Sequence, residues 1–120
     1  MVILDVEIPL SPPSVNTYWG FNKSRRYLTP LANRFVKDLA NWVKPKMSGK
    51  RLKLEVVFNY PDKRVRDLDN NLKPLIDGLV KCGLCVDDEQ FDELIIKRGE
   101  VVKGGLIKIK VTELIYISVK

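Results

Sequence analysis

Residues 2–9 alternate apolar and polar side chains, with Ile3, Val6 and Ile8 in the apolar set. Period two predicts a strand, and Pro12-Pro13-Ser14 ends it. After a mixed loop over 16–27, Thr29-Pro30 supplies a hydroxyl cap and a proline suited to the first helical position. Leu31, Phe35, Leu39, Trp42 and Val43 then recur at helical spacing, which predicts an amphipathic helix closed by Pro45 and Gly49. Residues 51–60 read as a second strand. Leu52, Leu54 and Val56 share one face, while Val57, Phe58 and Tyr60 make its far half apolar on both sides, as in a central strand. Leu72, Leu75, Ile76, Leu79 and Val80 define a second helix that stops at Gly83. Pro74 belongs in a first turn, so Asn70 or Asn71 is the expected cap, with Asp67 and Asp69 on extended backbone before it. Residues 94–102 and 106–114 predict a hairpin around Lys103-Gly104-Gly105. Residues 115–119 continue an apolar pattern that extends the last strand or packs on a partner chain. The order β-α-β-α-β-β makes residues 1–120 a single α+β domain, a mixed β-sheet with two helices.

One stretch of this pattern serves no core. Lys63-Arg64-Val65-Arg66 runs into Asp67-Leu68-Asp69-Asn70, and Asp87-Asp88-Glu89 follows the second helix. On extended backbone Asp67 and Asp69 point to the same side, and folding the helix back brings a carboxylate of the Asp87-Asp88 turn towards them. Like charges that close favour a cation between them. Oxygen donors suit a hard ion such as magnesium, which keeps several waters and accepts substrate phosphate. The bland alternatives are a helix cap for Asp69 and a turn residue for Asp88.

Composition narrows the chemistry. The formal net charge is +6, with 21 Lys and Arg against 15 Asp and Glu, which favours phosphate-rich partners. There is no histidine, so Ser-His and Cys-His catalysis and histidine metal ligands are excluded. Cys82 and Cys85 are the only cysteines, too few for a zinc site, and they follow a helix, where the dipole does not lower a thiol pKa. They read as small hydrophobes. No signal-peptide core or membrane-length apolar run is present, so a cytoplasmic protein is expected, with no membrane partner and no small-molecule cofactor.

Pro12-Pro13-Ser14-Val15-Asn16, Arg66-Asp67-Leu68-Asp69-Asn70, Lys73, Asp77-Gly78-Leu79, Gly83, Asp87-Asp88 and Lys103-Gly104-Gly105 together resemble the RusA family of Holliday junction resolvases. The resemblance covers most of the chain. It implies a homodimer that makes paired nicks in four-way DNA junctions, with a magnesium requirement (manganese substituting), in DNA recombination and repair and often in a phage or prophage setting. Position by position it implies Asp67, Asp69 and Asp88 as catalytic metal ligands and Lys73 as an essential lysine. Asn70 matches a position near the active site, and Asp87 falls to the turn or a supporting role. Asn71-Leu72 departs from some family members, and the tail after Glu113 is longer than expected. Lys63, Arg64 and Arg66 beside the acids are candidate phosphate contacts. Lys23, Arg25 and Arg26 form a second basic group, with Tyr18, Trp19 and Phe21 nearby to stack on an unpaired base. Two other readings compete: a CRISPR-associated nuclease using Asp5 near the end of the first strand, and a non-catalytic nucleic-acid-binding module.

Overall fold

The computed structural model describes residues 1–115. Strand β1 (Val2–Ile8) leads through the proline segment to a single-turn helix α1 (Val15–Tyr18), then a hairpin of β2 (Trp19–Asn22) and β3 (Arg25–Leu28). Helix α2 (Pro30–Leu39), strand β4 (Leu52–Asn59), helix α3 (Asp69–Lys81), a 3₁₀ turn (Asp88–Gln90) and strands β5 (Phe91–Arg98) and β6 (Leu106–Glu113) follow. The main sheet runs β1-β6-β4-β5. Its inner face carries Leu4, Ile8, Leu54, Val56, Phe58, Ile107, Ile109 and Val111, packed with Leu39, Val43, Leu75 and Leu79 in one core.

Much of this follows the pattern of the sequence. Thr29 Oγ1 accepts the Ala32 amide at 3.1 Å, as an N-cap does, and Pro30 opens α2. Gly83, at φ +82°, ends α3: its amide reaches the Val80 carbonyl and the Leu84 amide reaches that of Leu79, the paired bonds of a left-handed helix stop. Strand β4 is central, flanked by β5 and β6.

Four expectations need correcting. The hairpin over 94–114 does not form, because β5 pairs in parallel with β4 while β6 pairs with β4 on its other side. Residues 99–105 therefore pass across the end of β4, held by Gly99 N–H on the Phe58 carbonyl and Val102 N–H on that of Tyr60. Gly105 serves this crossover: at φ +85°, a Cβ there would lie 2.5 Å from Ser11 Cα. The loop over 16–27 is a short helix and hairpin, turning at Lys23 and Ser24, both with positive φ. Helix α2 ends at Leu39 and leaves Leu31 58% exposed, so the stripe's first residue is not core. Helix α3 begins at Asp69 with Pro74 inside it. The first bonds of that helix reach back three residues (Asn70 N–H to the Asp67 carbonyl, Asn71 N–H to that of Leu68, both 3.1 Å). Pro74, lacking an amide, costs it only the bond to the Asn70 carbonyl. Strand β6 stops at Glu113, Ile115 is exposed, and the expectation for 116–119 lies outside the described residues.

Candidate active site

Sequence segments 50 residues apart meet beside the N-terminus of α3. Pro12, Ser14 and Asn16 line one side of a cleft of about 190 Å³, and Arg66, Asp67 and Asn70 line the other. Asn71 closes the junction. It is 3% exposed, donates from Nδ2 to the Pro13 carbonyl at 2.6 Å, and accepts the Tyr60 hydroxyl on Oδ1. Above Tyr60 lie two guanidinium groups, Arg66 at 5.0 Å and Arg98 at 5.2 Å from the ring centre. Arg98 also donates to the Arg66 carbonyl at 2.7 Å. Burial raises the Tyr60 phenol above its ordinary value; Arg98 and Arg66 pull it back, and the nearby Asp67 carboxylate adds to the rise.

The second acidic group rides on the 3₁₀ turn. Gln90, 6% exposed, anchors it: Oε1 accepts the amides of Val86 (2.8 Å) and Asp87 (2.7 Å). Its Nε2 donates to the carbonyls of Ser48 and Lys50, both at 2.8 Å. Arg51 braces the same turn through Glu89 and Asp92. The Asp88 carboxyl is held above its usual range, first by a hydrogen bond with Asp87, then by partial burial and the Asp87 charge, while the Lys73 ammonium acts in the opposite direction. Asp88 thus lies between a neighbouring acid that raises it and a lysine whose charge lowers it.

The structure sets Asp87 beside Asp88 with the Lys73 charge acting on Asp88, and places Asp67 with Asn70 in the cleft. It does not gather Asp67, Asp69 and Asp88: among the described residues, no three Asp, Glu or Cys side chains group so as to hold a metal ion. The extended backbone expected to align Asp67 with Asp69 is absent. Leu68 between them is α-helical (φ −57°, ψ −37°) and Asp69 opens α3. A helical path turns residues two apart by about 200°, so their side chains diverge. The donor chemistry still fits a hard divalent cation: oxygen ligands only, with the Asp87 charge beside Asp88 among the causes that hold the Asp88 carboxyl above its usual range.

The basic groups divide. Arg66 donates to Asp62 at 2.7 Å and Arg64 at 3.3 Å, and Arg66 holds the Asp62 carboxyl down to about 2; Lys63 is exposed. Lys23, Arg25 and Arg26 sit on the β2–β3 hairpin with Phe21 73% exposed beside them. Asp5 lies opposite Lys110 in the β1–β6 pairing and does not line the cleft of Asp67 and Asn70. Cys82 and Cys85 are free thiols, and burial raises both, Cys85 to about 11, which removes a thiolate role at neutral pH. Asn71 and Gln90, which hold the two acidic segments, were not anticipated as site residues. Each had a signal: Asn71 is a polar residue on the apolar stripe of α3, and Asp87-x-x-Gln90 has the spacing of a capping box.

Residues 9–112 match the family model Endodeoxyribonuclease RusA. The chain is 41% identical over 107 residues to a crossover junction endodeoxyribonuclease of Enterobacteria phage HK97, covering 86% of this chain and 89% of that protein. The corresponding proteins of Enterobacteria phage 82 and Escherichia coli K12 are each 32% identical over the same shares. With a family model across most of the chain and relatives matched over nearly their full length, the chain belongs to the RusA family and is an endodeoxyribonuclease.

Proposed function

We propose that residues 1–120 form one RusA-like endonuclease domain that resolves four-way DNA junctions as a homodimer, in DNA recombination and repair, in the cytoplasm and from a phage or prophage gene. The observation that carries this reading is the Asp87–Asp88 carboxyl pair with the Lys73 ammonium close enough for its charge to act on Asp88, in a chain 41% identical to a crossover junction endodeoxyribonuclease. Asp67, Asp69 and Asp88, the ligands the family resemblance implies although their side chains are not grouped in this structure, would hold magnesium or manganese, which when bound supplies positive charge at the phosphoryl oxygens and acidifies an attacking water. Lys73 places its ammonium against the scissile phosphate and offers a proton to the leaving oxygen. Asn70 borders the cleft as an amide donor. Lys63, Arg64 and Arg66 hold flanking phosphates, Asp62 fixing the fork of Arg66 until a phosphate competes for it. Lys23, Arg25 and Arg26 grip a second stretch of backbone from the hairpin. A two-fold dimer presents two such sites to opposed strands. No helix of the described residues is long and apolar enough to cross a membrane.

One experiment tests these roles together: cleavage and binding of a labelled four-way junction with magnesium, manganese or EDTA. Cutting is expected only with metal, and mass measurement in solution should give a dimer. Lys73→Ala should bind normally yet cut about 100-fold more slowly, the scale of a lost general acid. Neutralising Lys23, Arg25 and Arg26 together should weaken binding and flatten its salt dependence by up to about three units of slope. Cleavage in EDTA, or a Lys73→Ala enzyme at full rate, contradicts the reading. Linear duplex cut as well as junctions would favour the CRISPR-associated type, and binding without cleavage a non-catalytic module.

A further inference from the structure

We propose that Trp19 is a positioning residue for Lys73: its indole face holds the ammonium in place on α3 and joins that helix to the basic hairpin. The inference rests on the reading above for what Lys73 does; the contact itself is read from the fold.

Lys73 Nζ lies 5.8 Å from the centre of the Trp19 ring. Among the described residues it has no ion pair, so the ring is what restrains its four-carbon stem. Tyr18 meets the same ring edge-on, with centres 4.5 Å apart. Tyr18, 2% exposed, donates its hydroxyl to Asp77 Oδ2 at 2.6 Å. Asp77 also accepts from Lys81 at 3.3 Å. Lys73, Asp77 and Lys81 stand one turn apart on α3, so Tyr18 and Trp19 dock along a single stripe of that helix. The ring is thereby fixed against α3 independently of Lys73.

A second cation shares the indole. Arg26 Cζ is 4.9 Å from its centre. It reaches there because Trp19 pairs with Leu28 and Phe21 with Arg26, placing all four on one face of the hairpin. Two positive charges on one ring repel each other. A DNA phosphate that draws Arg26 away leaves the ring's full attraction to Lys73, and contact at the hairpin then tightens the lysine's position at the site.

The test compares Trp19→Phe, which keeps an aromatic face, with Trp19→Leu, which removes it. Trp19→Leu should slow single-turnover junction cleavage about five- to tenfold, the effect expected of one cation–π contact, with affinity within about twofold of wild type. Trp19→Phe should recover most of the rate. A role in packing alone predicts equal losses for both variants, or a loss confined to affinity, and either result overturns the proposal. So does a Trp19→Leu protein that cuts at full rate. Should Trp19→Leu fail to fold, the indole N–H resonance of Trp19 decides: Lys73→Met should shift it while leaving that of Trp42 in place, and an unmoved resonance rejects the contact. That measurement needs no substrate, so it stands even where wild-type protein leaves junctions uncut and the cleavage reading itself fails.

Discussion

Asp88→Asn is expected to lose junction cleavage by about 10³-fold, the scale of losing a principal source of transition-state charge stabilisation, while its thermal midpoint stays at or above the wild-type value. The two halves of this expectation come from one geometry. Asp87 and Asp88 are adjacent in the chain and exposed, yet their carboxyls meet in a hydrogen bond that holds Asp88 above its usual range. A carboxyl whose folded pKa is raised favours the fold most below its unfolded value and loses that contribution as pH climbs through the folded one. At neutral pH the pair is therefore a repulsion that folding must carry. An amide at position 88 keeps a donor for Asp87 and removes the charge, so stability rises or holds. The same change deletes a proposed metal ligand. Melting curves with and without magnesium separate the effects: wild type should gain stability from the ion, and Asp88→Asn should gain little. A magnesium-induced shift as large as that of wild type would take Asp88 out of the metal site.

Local chemistry was legible in the sequence and long-range pairing was not. Thr29-Pro30 and Gly83 act where a cap, a fixed φ and a left-handed stop place them, because those preferences depend on neighbouring atoms alone. The apolar run Val56-Val57-Phe58 pointed to a central strand, and β4 does lie between β6 and β5, although its first half still alternates buried leucines with half-buried Lys53 and Glu55. The pairing of β5 is different. Two alternating segments around Lys103-Gly104-Gly105 satisfy every hairpin signal, but alternation says nothing about which neighbour a strand chooses, and residues 99–105 are long enough to cross β4. The β2–β3 hairpin hid for the opposite reason, since Lys23-Ser24 occupies two positive-φ positions where glycine or asparagine is the usual sign.

For the site, the structure places Asp67 and Asn70 in one cleft and Asp88 within reach of the Lys73 charge, without gathering Asp67, Asp69 and Asp88. The backbone state of Asp69 also differs from the one Pro74 suggests. Proline forbids a preceding helical turn less strictly than its missing amide suggests when the early bonds reach back three residues instead of four. The supporting residues Asn71 and Gln90 matter through partners far away in sequence, Pro13 and Tyr60 for one, Ser48 and Lys50 for the other. No local pattern reports such partners.

Gln90→Leu should be the most destabilising of these substitutions, lowering stability by about 3 kcal/mol, because removing the amide takes four hydrogen bonds at once from a side chain that is itself buried. Gln90 satisfies two backbone amides on one side and two carbonyls on the other, all within 2.8 Å. Leucine fills a similar volume, so the loss measures hydrogen bonds and not a cavity. In a domain of this size the corresponding fall in melting temperature is about 10 °C or more. Function should suffer beyond what unfolding accounts for. The Asp87–Asp88 turn is tied by this side chain to the loop carrying Ser48 and Lys50, and a turn free to tilt no longer presents Asp88 to Lys73. Cleavage measured well below the variant's own melting temperature should fall about 10- to 100-fold, as for lost support of a ligand, with junction affinity kept. Melting within about 1 °C of wild type would mean that the turn is held by other contacts, the Arg51 bridge to Glu89 and Asp92 first among them.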